Sequence, residues 1–262
     1  LSRILLRGAS GVTLAAYSPP RDPLSRIRRR LTARHVARRA MLRFDAPLLS
    51  ITFDDFPASA ADVGARILES HGARGTYYAA AGLADTDGPS GRNFSPTHVT
   101  RLLRAGHEIA CHSFGHDDCA RRPTLDTLRD IARNRDALAA MGCPQQQAFA
   151  YPYGETTRDL KSHLPPRFAT ARGITPGLVR GAVDLAQLPA YPLFGAGAEQ
   201  RAAQALNRAA RRNAWMIAFT HDVGDAPSPF GASAADLDTF LRLAHTLGVT
   251  VLPVTAALTR RV

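Results

Sequence analysis

The chain has 262 residues, 45% of them hydrophobic, and a formal net charge of +11, enough apolar content for one sizeable core. No run approaches eighteen consecutive apolar residues, which argues against a bilayer-spanning helix. Three cysteines, Cys111, Cys119 and Cys143, are too few and too irregularly spaced for a disulfide framework or a paired Cys-x-x-Cys zinc site.

The charge is concentrated at the start. Residues 1–45 hold eleven arginines against Asp22 and Asp45, and the remainder is close to neutral. This segment reads as a basic N-terminal arm ahead of one main domain over 46–262. It is either an Arg-rich surface helix or a tether to membrane phospholipid, nucleic acid or an acidic polymer, with peripheral contact to anionic membrane ahead of nucleic acid among these partners. The apolar run Val12 to Tyr17 is too short for a secretory leader, so the expected location is cytoplasmic or the inner membrane face.

From Pro47 onward, short apolar runs alternate with amphipathic stretches. Pro47 to Phe53 reads as a strand that ends on Asp54 and Asp55, and Val63, Ile67 and Leu68 mark a helix stopped by Gly72. Thr76 to Ala79 is a strand, Ser95-Pro96 opens a helix closed by Gly106, and Glu108 to Cys111 is a strand leading into His112. A helix over Leu125 to Met141 follows. Further strands are expected at Gln147 to Tyr151, Arg167 to Ala171, Trp215 to Thr220 and Val249 to Pro253, with helices at Ala198 to Arg211 and Ala234 to Leu247.

About seven strands crossed by helices predict an α/β fold, a distorted or incomplete (β/α) barrel of parallel strands. Asp54, His112, Tyr153 and His221 each follow a predicted strand, where the loops of such a barrel converge on one site. Two carboxylates at the end of an apolar strand are costly unless a metal, a cation or hydrogen bonds compensate them; alternatively, one caps the next helix. In His112-Ser113-Phe114-Gly115-His116 a single turn can aim both imidazoles at one ion, with Asp117 and Asp118 as alternative ligands. One carboxylate and two histidines leave the open position that a hydrolytic metal needs. His221 ends a buried strand with a pKa suited to proton transfer near neutrality, although a lone histidine there is commonly structural.

Together these segments resemble the polysaccharide deacetylase family, the NodB-like carbohydrate esterases of family four. Thr52 to Asp55, His112 to His116, Ala150 to Gly154 and Phe219 to His221 are similar to four of its motifs, in order and spacing, over roughly residues 46–256. The resemblance implies a NodB-like barrel and one divalent metal held by Asp55, His112 and His116, most commonly zinc, with cobalt or manganese as substitutes. It also implies Asp54 as general base, the backbone N–H of Tyr153 as oxyanion donor and His221 as acid toward the leaving amine. The reaction implied is removal of an N-acetyl, or an O-acetyl, group from an amino sugar in a glycan, glycolipid or polysaccharide precursor. A hydrolase of small amides or cyclic imides on the same barrel, and a catalytically impaired carbohydrate-binding homologue, are the competing readings.

Two positions depart from the family pattern. Phe56 stands where the first motif usually has glycine, and Ala150 stands where many members carry an arginine paired with the base. Arg172 and Arg180 are the candidates to supply that charge, and Asp184 is a candidate to orient His221. Tyr151 and Trp215 are candidates to line a sugar pocket, although packing explains Trp215 equally well.

Overall fold

The computed structural model describes residues 18–20 and 22–262. Eight strands, numbered here along the chain, build one parallel sheet: β1 (Leu48–Phe53), β2 (Thr76–Ala79), β3 (Glu108–Cys111), β4 (Ala148–Ala150), β5 (Thr170–Arg172), β6 (Tyr191–Pro192), β7 (Trp215–Thr220) and β8 (Thr250–Val251). The order is β6-β7-β1-β2-β3-β4-β5, and β8 shares an edge of β1 with β2. All six residues of β1 and of β7 are buried. Both faces of the sheet are covered, so these strands read as continuous apolar runs rather than alternating ones.

The ladder does not close through a full strand. Residues 185–192 bridge the gap: Ala171 donates to the Leu185 carbonyl at 2.7 Å, Gly173 to Leu188 at 2.9 Å, and β6 then pairs with β7. The result is a distorted (β/α) barrel, as the alternation in the sequence predicts. Arg172 is the last residue of β5, one position beyond the expected strand end.

The outer helices follow their sequence signals. Pro96 opens Pro96–Arg104 behind Ser95, while Thr157 and Ser233 cap Arg158–His163 and Ala234–Thr246 by accepting from Leu160 and Asp236. Thr124–Ala140 and Ala198–Arg212 complete the layer around the sites described below.

The basic arm is only partly within the described residues, since 1–17 and 21 lie outside them. Asp22 caps helix α1 (Pro23–Arg34), accepting from Ser25 at 2.9 Å. Arg39–Leu42 then forms an antiparallel ribbon with Gly181–Asp184, and Leu42 and Phe44 are buried against the barrel floor around Trp215. Neither strand of this ribbon has an apolar run long enough to read as a strand in the sequence.

A buried polar clasp ties this segment down. Lys161, the chain's only lysine, donates to the Thr32 and His35 carbonyls at 3.1 and 2.5 Å, and lies 2.9 Å from Asp184. Asp184 also accepts from the backbone of Ala37, Arg38 and Ala186. The clasp therefore neutralises a buried ammonium and caps the carboxyl end of α1 at once.

Candidate metal centre

Strand register brings the chemistry-bearing residues together. Phe53 pairs with Thr220, so the next residues, Asp54 and His221, emerge side by side, and Asp54 donates its backbone N–H to the Thr220 carbonyl at 2.9 Å. Ala79 pairs with Cys111, and Cys111 with Phe149, which places His112 beside Ala150. The site lies at the carboxyl ends of the strands, where barrel loops converge.

Asp55, His112 and His116 form one cluster whose ligand atoms lie within 4.8 Å of one another. Asp55 Oδ1 stands 2.8 Å from His116 Nε2 and 3.6 Å from His112 Nε2. It is buried and accepts no hydrogen bond, an expensive state for a carboxylate oxygen without a cation. The His112 Nδ1–H donates to the Ala150 carbonyl at 2.8 Å, which directs Nε2 at Asp55. Among the described residues, this donor set of one carboxylate and two imidazoles fits a divalent ion of the zinc type.

The electrostatics agree. Burial, reinforced by His116, pushes His112 down to about 4, so its imidazole is neutral at pH 7, the form a metal ligand requires. Burial pushes the Asp55 carboxyl up, but attraction to His116, His221 and His112 outweighs this and holds it well below the usual carboxylate range. Burial likewise opposes protonation of His116, and Asp55 beside it reverses the balance and raises it.

The loops that present these groups are backbone-strained. Asp55, Phe56, Ser113, His116 and Tyr153 all have φ between 54° and 62°, a conformation that costs a non-glycine residue roughly 1–2 kcal/mol. Asp130 holds the His112–His116 turn by accepting from the backbone of Phe114 and Gly115 at 2.7 and 3.2 Å. Gly82 backs that turn, where a Cβ would lie 2.6 Å from the Phe114 carbonyl oxygen. Asp130 carries no sequence signal, because a helix carboxylate that bonds to backbone and faces Arg122 looks like any surface acid. Asp117 and Asp118 do not join the cluster: Asp117 pairs with Arg122, and Asp118 accepts from Ala120.

Arg172 pairs with Asp54 Oδ1. Its guanidinium crosses the barrel interior, 4.9 Å from the Tyr78 ring centre and 5.0 Å from that of Phe219, and it also donates to the Gly173 carbonyl. Arg172 is the register partner of Ala150. In-register neighbours on parallel strands project to the same face, so a guanidinium reaches Asp54 from the strand beside Ala150. Arg180 does not reach Asp54; it is bound to the Arg212 and Asn213 carbonyls.

The other expectations divide. His221 Nε2 lies 4.0 Å from Asp55 Oδ2, and the ring is oriented by its Nδ1 contact to the Phe230 carbonyl at 3.1 Å. Asp184 does not orient it, being engaged in the Lys161 clasp. Backbone carbonyls carry no residue signature, which is why Phe230 escapes sequence reasoning. Tyr153 packs its ring against His116 at 4.6 Å. Tyr151 is buried with its hydroxyl on the Ala186 carbonyl, and Trp215 is buried at the opposite end of β7 with Nε1 on Ser50 Oγ. Both are core residues, not sugar contacts, because a buried hydroxyl or indole N–H takes its partner from the interior. The aromatic rings around His221 are instead those of Phe194 and the half-exposed Phe230, at 5.5 and 5.8 Å.

Residues 43–164 match the model of the polysaccharide deacetylase family. No curated protein sequence matches the chain. Among solved structures, the chain is similar to a family 4 acetyl xylan esterase from Clostridium thermocellum in complex with a cobalt ion, at 20% identity and TM-score 0.56, covering 81% of this chain and 90% of that one. It is also similar to a family 4 carbohydrate esterase from Streptomyces lividans in complex with acetate, at 19% identity and TM-score 0.54, covering 80% and 93%. The peptidoglycan deacetylase PdaC from Bacillus subtilis matches at 16% identity and TM-score 0.53, covering 82% and 92%. At these identities the structural likeness carries the fold.

Proposed function

We propose, from the match of residues 43–164 to the polysaccharide deacetylase family model, that the chain is a metal-dependent hydrolase of acetylated amino sugars. Its substrate is an N-acetyl group, with O-acetyl second, on a glycan, glycolipid or polysaccharide precursor. The observation that carries this reading is the pairing of Asp54 with buried Arg172 beside the Asp55, His112 and His116 cluster. It supplies a held carboxylate next to, but separate from, the ligand set.

A divalent ion on Asp55, His112 and His116, zinc first and cobalt or manganese as substitutes, would contribute Lewis acidity and lower the pKa of a bound water. The residues of the chain do the rest. Asp54, fixed through one oxygen by Arg172, takes a proton from water as the water oxygen bonds to the acyl carbon. The backbone N–H of Tyr153, on the strained turn against His116, is assigned to the developing oxyanion. His221 is kept by the Phe230 carbonyl with Nε2 toward the cluster, and gives a proton to the leaving nitrogen as the C–N bond breaks. Acetate and a free amine result. Phe194 and Phe230 offer apolar faces on which a sugar ring can stack beside His221.

Acetate release across a panel of acetylated chitooligosaccharides and related glycans, with and without added metal, tests this reading. Metal-dependent release that Asp54→Asn abolishes is the expected result. Turnover of small amides or cyclic imides with no acetylated sugar accepted would overturn the substrate assignment, and sugar binding without any release would overturn catalysis.

A further inference from the structure

Helix α1 turns one side to the protein and an aliphatic stripe to solvent. Leu24, Ile27 and Leu31, at helical spacing i, i+3, i+7, share one stripe and are 77%, 51% and 43% exposed. Arg26, Arg30 and Arg34 are exposed around them, and the helix contains no acidic residue. The inward side is fixed: Thr32 is buried, Arg29 pairs with Glu155 at 2.5 Å, Arg28 donates to the Ala120 carbonyl at 3.3 Å, and Lys161 holds the carboxyl end.

We propose that α1 docks this protein on a bilayer rich in anionic lipid. The helix lies in the interface with Leu24, Ile27 and Leu31 in the acyl boundary and Arg26, Arg30 and Arg34 on lipid phosphates. Charge complementarity selects an anionic partner, and the stripe selects lipid. A nucleic-acid backbone satisfies arginines but leaves three aliphatic side chains in water, whereas a bilayer interface takes both. The anchoring contacts of α1 run to Ala120 and Glu155, on the loops that follow His116 and Tyr153. Docking therefore brings lipid close to the candidate site and fits a membrane-borne acetylated glycan; that last step rests on the proposed function, and the docking itself does not.

Co-sedimentation of the full chain with vesicles of phosphatidylcholine, with and without phosphatidylglycerol, is the test. Binding to the anionic vesicles that weakens with salt is expected. Replacing Arg26, Arg30 and Arg34 by Gln should weaken it by about fivefold per arginine, and replacing Leu24, Ile27 and Leu31 by Ser by tenfold or more. Both variants should keep the wild-type Tm and the wild-type rate on a soluble acetylated oligosaccharide, because these side chains face outward.

The proposal is overturned if anionic vesicles are not bound, or if only the arginine variant loses binding while polynucleotide binding is retained by the serine variant. It is equally overturned if the serine variant lowers Tm or changes the oligomeric mass, since the stripe would then be covered by this chain or by a second copy. Absence of deacetylation alongside intact vesicle binding would instead count against the proposed function alone.

Discussion

A guanidinium in the middle of a barrel is expensive to desolvate, and Arg172 is held there by one carboxylate, one carbonyl and two aromatic faces. Removing one partner of such a pair leaves the other charged and alone. Arg172→Ala should cost roughly 3–5 kcal/mol of stability and lower kcat/KM at least a hundredfold, while Arg172→Lys should restore part of both. An unchanged kcat/KM in the alanine variant would show that Arg172 does not act through Asp54. Phe56 poses the opposite balance. Its backbone, at φ 62°, carries the strain that glycine avoids, but its ring is buried and stacks on Phe94 at 4.5 Å. Burial of a phenylalanine, worth about 3–5 kcal/mol, exceeds the strain of roughly 1–2 kcal/mol. Phe56→Ala should therefore destabilise by about 3–5 kcal/mol in denaturant unfolding, and Phe56→Gly should recover only the strain. The first-motif glycine is absent because the position has been turned into core.

At the scale of elements, the parallel register of β7-β1-β2-β3-β4-β5 decides which loops meet. The clasp between α1, Lys161 and Asp184 then fastens the N-terminal segment to it. Burial raises the Asp184 carboxyl, but hydrogen bonds from the Arg38 backbone, Lys161 and the Ala186 backbone outweigh this and lower it. A depressed folded pKa stabilises above the unfolded value of about 3.9, and that contribution is lost as pH falls through the lower folded value. Unfolding free energy followed by chemical denaturation should thus decline below about pH 4, and Asp184→Asn should flatten that decline while lowering stability at pH 7. An unaltered acid slope in the variant would remove Asp184 as its source. The ribbon and clasp are not legible in the sequence, because Arg39–Leu42 and Gly181–Asp184 pair across more than a hundred and thirty residues and neither stretch is apolar enough to declare itself.

For the whole molecule, a metal ion held by the cluster would couple binding to stability. An ion that binds only the folded chain adds about 2.7 kcal/mol at one hundred times its Kd. For a domain of this size that corresponds to a Tm rise of roughly 5–10 °C. Chelation should reverse the rise and abolish acetate release, and zinc or cobalt should restore both; His112→Ala should bring the treated and untreated melting curves together. A Tm indifferent to chelator in the native chain would count against a resident metal.

The amino-acid sequence by itself determined the alternation of strands and helices, and with it the barrel and the end of the barrel at which Asp54, Asp55, His112, His116 and His221 emerge. Those features are local: apolar runs, caps and strand-end polar residues are written in neighbouring positions. Only the tertiary structure decided that Arg172 rather than Arg180 reaches Asp54, that a carbonyl of Phe230 rather than Asp184 orients His221, and that Tyr151 and Trp215 are core. Each of these depends on which strands stand side by side and on backbone groups common to every residue. The same holds for the stripe on α1, whose amphipathic pattern is local but whose outward direction is set by Lys161, Glu155 and Ala120.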